Sequence, residues 1–205
     1  MSSKSPLQFS AILLLAQFIS SGVIAQIKSG TYSGDLQIAF NPTNNKVSGY
    51  YESFTGYDEE LKAPRFSCIF FFEGYYTDRS FAIKSYYPLE PGGDTIDGII
   101  YSKNAEQFEM KLHEEPGGYW NVAHFADTLE KFDLSEKSNW VAIRYVLTNG
   151  ASCFNEADGK GKIIRELKLA TIVYVDEIKD NWCHIHFFEK KPFSVWVQNK
   201  DLNGL

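Results

Sequence analysis

Ile172-Val173-Tyr174-Val175-Asp176-Glu177, Trp182-Cys183-His184-Ile185-His186-Phe187-Phe188 and Ser194-Val195-Trp196-Val197-Gln198 are three short runs of alternating character, separated by Asp180-Asn181 and Lys190-Lys191-Pro192. Alternation with a period of two marks a half-buried strand, and Asp, Asn and Pro mark the turns between strands. The runs therefore predict a three-stranded meander. Just upstream, Ala151-Ser152-Cys153-Phe154-Asn155 reads as a strand and Glu156 to Gly161 as a polar, glycine-bearing loop. Ile163 to Leu167 is a strand ending in a turn at Lys168 to Thr171. Asp201-Leu202 closes the segment, and Trp140 to Arg144 supplies a leading strand.

The order of these features resembles the bacterial SH3-like (SH3b) family. It runs from a leucine before a turn (Leu167) to a Val-x-Val strand (Val173, Val175), a tryptophan opening the next strand (Trp182), a Trp-Val pair (Trp196-Val197) and a closing leucine (Leu202). The resemblance covers about residues 139–205. Ala170 and Val195 stand where the family usually keeps glycine. It implies a small, strongly bent β-barrel whose ligand surface lies between the first long loop and neighbouring strands, with Phe154, Asn155 and Trp182 at the matching positions. Members accompany cell-wall enzymes and envelope proteins, and some bind peptidoglycan peptides.

The preceding hundred residues also have strand character. Thr31 to Phe40, Lys46 to Phe54, Phe66 to Gly74, Phe81 to Tyr87, Thr95 to Tyr101, Gln107 to Leu112 and Tyr119 to Phe125 are separated by turn clusters such as Asn41 to Asn45 and Pro88 to Asp94. This regular spacing predicts an antiparallel barrel or sandwich. In the pairs Tyr50-Tyr51, Tyr75-Tyr76 and Tyr86-Tyr87, one ring of each should point inward and the other outward or against a second layer. Gly56 to Pro64 reads as a polar connection, and Asp127 to Ser138 as a stretch able to form a turn or two of helix. The expected organisation is all-β: an antiparallel domain over residues 26–135 and the SH3-like domain over 136–205.

Lys4, the apolar run Phe9 to Ile19 and the small-residue exit Val23-Ile24-Ala25 predict an export signal over residues 1–25, cleaved before Gln26. The apolar run is short for a bilayer span, so no stable membrane insertion is expected afterwards. The full chain carries a formal charge of −6, and loss of Lys4 would make it −7. An acidic chain without a basic run argues against a nucleic-acid partner. An exported periplasmic or extracellular protein is the expectation.

Three cysteines, Cys68, Cys153 and Cys183, allow at most one internal bridge, for which Cys153 with Cys183 is the candidate pair. Cys68, in an apolar run, reads as a core residue. His184 and His186 share one strand face and could begin a metal site, but no further ligand is evident nearby, so no metal and no cofactor are expected. A cysteine hydrolase would pair Cys68 with His113 or His124, yet Cys68 has no helix N-terminus to activate it. His113-Glu114-Glu115 reads as a solvated strand end. The leading expectation is thus a non-catalytic binding protein whose partner is a cell-envelope component, a peptidoglycan peptide or a protein. The alternatives are a Cys68-dependent wall hydrolase and a carrier of small apolar ligands inside the first domain.

Overall fold

A computed structural model describes residues 27–77, 80–90, 93–116, 125–187 and 193–204. The signal segment, His124, most of the expected Tyr119 to Phe125 strand and the Lys190-Lys191-Pro192 turn lie outside the described residues. The fold is all-β, with an antiparallel closed barrel of eight strands and a second, six-stranded sheet.

The barrel is a continuous meander of β1 (Gly30–Tyr32), β2 (Gln37–Asn41), β3 (Lys46–Asp58), β4 (Ala63–Thr77), β5 (Ser80–Tyr86), β6 (Ile96–Asn104), β7 (Gln107–Leu112) and β8 (Glu130–Lys137). Each strand pairs with the next, and β8 closes onto β1 through Gly30↔Lys137 and Thr31↔Glu136. Alternation decides what fills it. Phe70 and Phe72 point into the lumen with Tyr32, Phe40, Phe81, Phe108, Phe125 and Phe132. Ring centroids there lie as close as 4.7 Å for Tyr32–Phe108 and 5.1 Å for Phe70–Phe125. Eight strands leave an interior just wide enough for side chains, and here aromatic rings occupy it.

The structure departs from the sequence reading in three places. Thr31 to Phe40 is two strands, separated by a 3-10 turn over Ser33–Asp35. The expected Gly56 to Pro64 connection is the tip of a long β3–β4 hairpin. There Asp58 accepts from the amides of Glu60 and Leu61 and pairs with Arg65. The stretch predicted to allow helix is β8, because β1 and β7 both need a partner and ladder pairing overrides weak local preference.

The second sheet contains β9 (Ala142–Tyr145), β10 (Ala151–Phe154), β11 (Arg165–Leu167), β12 (Ile172–Lys179), β13 (Trp182–Phe187) and β14 (Phe193–Gln198), in the order β11-β10-β14-β13-β12-β9. After β14 the chain makes a 3-10 turn at Asn199–Asp201 and returns to the start of the module through the bridge Val146↔Leu202. One face carries the core: Val173, Val175, Cys183, Ile185, Phe187, Val195 and Val197. Ala170 holds the left-handed turn before β12 at φ 60°, where a Cβ costs about 1–2 kcal/mol. Ala170→Gly is therefore expected to raise stability by about 0.5–1 kcal/mol, read from the urea midpoint; an unchanged or lower midpoint would contradict this.

A third apolar cluster joins the two modules. Ala39 and Phe71 from the outside of the barrel pack with Trp140, Ile143, Tyr145 and Tyr174, flanked by Tyr50 and Tyr86. The Ile143 amide donates to Ser48 Oγ at 2.8 Å, and the Tyr174 hydroxyl donates to Gln37. The tyrosine pairs thus divide as their alternation requires: Tyr51 packs in the lumen, while Tyr50 and Tyr86 face the second sheet. Among the described residues, no helix is long and apolar enough to cross a membrane.

Candidate functional site

The face of the second sheet opposite its core carries the residues singled out in the sequence. Cross-strand register fixes which side chains share it. Trp182 opposes Gln198, His184 opposes Trp196, His186 opposes Ser194, and Phe154 opposes Trp196. The Phe154 and Trp182 rings meet edge to face, with centroids 5.5 Å apart. Trp196 packs on His184 at 5.1 Å. The loop after β10 folds back over the indole: a Cβ on Gly159, which sits at φ +65°, would lie 3.1 Å from the Trp182 ring. Asn155 is exposed at the start of that loop. The structure therefore brings Phe154 and Trp182 together and leaves Asn155 at the rim.

Trp196 and Asp176 are the members of this face that the sequence reading missed as site residues. The β12–β13 ladder runs Val175↔Ile185 and then Glu177↔His184, so Asp176 is the extra residue of a β-bulge. The bulge sets two residues opposite His184, while period two from Tyr174, which opposes His186, keeps Asp176 on the histidine face. Its Oδ1 lies 2.7 Å from His184 Nδ1, and its Oδ2 lies 2.7 Å from His186 Nε2. Burial works to raise the Asp176 pKa, but the hydrogen bonds from His186 and His184 outweigh it and hold the carboxyl below its ordinary range. The side chains are 15% (Asp176), 25% (His184) and 33% (His186) exposed, so the cluster is sheltered yet reachable.

The possible Cys153–Cys183 bridge is not formed, and all three cysteines are free and buried. Both Cys153 and Cys183 pair with Val197, from opposite sides of β14. Two interstrand spacings put their Cα atoms roughly 9–10 Å apart, beyond the ~7 Å limit for a disulfide. Burial pushes the Cys68 thiol up to about 11, with Glu115 adding to the effect. Burial likewise raises Cys153 to about 11, against a smaller opposing pull from Arg165. Cys68 is part of the barrel core, whereas His113 is exposed. At pH 7 roughly one Cys68 in ten thousand would be thiolate.

These thiols give a pH prediction. Their folded pKa lies above the ordinary value of 9.0. Below that value both states are protonated and nothing changes. Between about 9 and 11 the unfolded chain loses its thiol protons and the folded chain keeps them. Stability should therefore fall by roughly 1.4 kcal/mol per pH unit for each thiol. Urea midpoints across this window should decline, and a Cys68→Ala/Cys153→Ala variant should decline less steeply; equal slopes would refute the assignment.

A second concavity, a groove of about 890 Å³, lies outside the barrel between β4, β5 and β6 and is bounded by Tyr145. Its charged groups are satisfied internally: Lys46 pairs with Glu73 at 2.8 Å, the Tyr86 hydroxyl donates to Glu73 at 3.1 Å, and Lys84 pairs with Asp97 at 2.9 Å. The His113-Glu114-Glu115 segment serves the fold: the His113 amide donates to Asp97 O, and Glu115 accepts from the Ala126 amide. The outer face of the second sheet, with its half-buried rings, is the stronger candidate.

Comparison with family models, curated proteins and solved structures gives no match.

Proposed function

We propose that the chain is an exported, non-catalytic binding protein of the cell envelope, using the outer face of an SH3-like C-terminal module to recognise a peptidoglycan peptide or a protein segment. The observation that carries this reading is the Phe154–Trp182 ring pair beneath the Gly159 loop, continuous with Trp196 and His184. Half-buried aromatic rings flanked by an exposed polar loop give large contact area at low entropic cost. The SH3-like part is supported by the β12–β13–β14 meander, which carries the Val-x-Val strand, Trp182 and the Trp196-Val197 pair in the expected order. The charge of the whole chain favours a neutral or cationic partner over an anionic polymer.

The alternatives draw less support. A hydrolase would need an activated nucleophile, and the Cys68 thiol is buried with its pKa raised. An apolar-ligand carrier would need lumen space, and the described lumen is occupied by packed rings.

Soluble muropeptides titrated into the full chain should change tryptophan fluorescence saturably, with weak salt dependence. Trp182→Ala should weaken binding by about 2 kcal/mol, roughly thirtyfold, while leaving the barrel folded. A steep salt slope, or equal affinity in the variant, would overturn the reading.

A further inference from the structure

We infer that Asp176, His184 and His186 form a binding site for a divalent late first-row metal ion, zinc first. Two imidazoles and a carboxylate present one ligand atom each, all within 4.8 Å of one another. That donor set suits zinc, copper and nickel better than magnesium or calcium, which prefer all-oxygen shells. Ligand atoms around a tetrahedral ion with bonds of about 2.0–2.1 Å are roughly 3.3 Å apart. Small side-chain rotations would therefore suffice to admit the ion.

Four features set this trio apart from a chance surface cluster. First, the carboxylate projects from a paired strand, on the same face as Tyr174, which opposes His186, and next to the bulge that sets Glu177 opposite His184. Second, the ion pairs of Asp176 among the described residues are both with imidazoles, at 2.7 Å each, so no described lysine or arginine pairs with the carboxylate. Third, Trp196 packs against the His184 ring and restricts its plane; such supporting contacts orient metal ligands. Fourth, the outward side is partly exposed, leaving an entry path and room for a fourth ligand such as water or a carboxylate. Three protein ligands with one open position is the arrangement of a zinc site that can still take an exogenous group.

Binding requires His184 Nδ1 and His186 Nε2 as lone-pair donors. For each neutral ring, the N–H bond at the ligating nitrogen breaks and one forms at the other ring nitrogen through solvent. No electron transfer is involved, and the charge added to the site is that of the ion.

The test uses the full chain after chelator treatment, titrated with ZnCl₂ by calorimetry. One equivalent should bind saturably. Asp176→Asn and His184→Gln should each weaken binding at least about tenfold, with near-ultraviolet circular dichroism unchanged. His113→Gln, remote from the cluster, should bind as the parent does. Co²⁺ in place of zinc should give visible d–d bands without thiolate charge transfer. No saturable binding, equal affinity in the Asp176 and His184 variants, or a thiolate band placing the ion at a cysteine would each overturn the inference. Muropeptide titration in the presence of chelator separates it from the proposed peptide recognition, since the two can fail independently.

Discussion

Arg144→Ala is expected to lower the unfolding free energy by about 3–5 kcal/mol, a loss large enough to unravel the C-terminal module at moderate temperature. Arg144 is 1% exposed, on the core side of β9. Its guanidinium holds the end of the chain. One nitrogen donates to Asn199 Oδ1, and the other donates to the carbonyls of Leu202, at 3.1 Å, and Asn203. The first also approaches Cys183 Sγ at 3.4 Å. Burial lowers the Arg144 pKa, opposed by Cys183, yet arginine stays charged in proteins. The cation is therefore compensated by carbonyl and amide dipoles. Alanine would strand several buried acceptors, each costing about 1–3 kcal/mol when unpaired. Arg144→Lys should recover only part of the loss, because an ammonium cannot reproduce the planar fork. Differential scanning calorimetry of the three proteins checks this; an Arg144→Ala transition within a degree of the parent would show that the clamp contributes nothing.

The second large effect belongs to the barrel. Phe72→Ala should cost about 3–5 kcal/mol, the usual penalty for deleting a fully buried ring. Phe72 lies in the lumen cluster, 6.2 Å from Phe70 between centroids. Its edge rests directly on Gly49: a Cβ there would sit 2.0 Å from Phe72 Cζ and 2.7 Å from the Gln37 carbonyl oxygen. The complementary change, Gly49→Ala, overfills the same site and should cost about 1–3 kcal/mol. The two substitutions share one space, so the double variant should lose less than the sum of the singles. Urea unfolding of the four proteins measures this directly. Strict additivity would mean that the ring and the glycine do not share space.

The strands were legible because their periodicity is enforced by burial. In β13, Cys183, Ile185 and Phe187 face the core while Trp182, His184 and His186 face outward, as alternation predicts. The closing strand β8 was not legible. Its sequence Glu130–Lys137 is polar, Phe132 is its one fully buried ring, and its strand conformation is imposed by partners distant in sequence. Of the site, Phe154 and Trp182 were found through the resemblance, and the shared face of His184 and His186 through period two. Asp176 follows the same period, two residues past Tyr174, but the pairing of β12 with β13 that sets it beside His184 and His186 is not encoded in spacing along the chain. The separation of Cys153 from Cys183 depends on β14 running between their strands, an ordering that spacing along the chain does not encode.

The proposed recognition surface is the outer face of the second sheet, not Cys68 or the lumen. The most direct measurement is the ¹⁵N–¹H spectrum of the full chain titrated with a purified muropeptide. Saturable shifts are expected to concentrate at the indole Nε1–H groups of Trp182 and Trp196 and the amides of the Asn155 to Gly161 loop. Shifts centred instead on Cys68 and the barrel core, with the tryptophan signals unmoved, would contradict it.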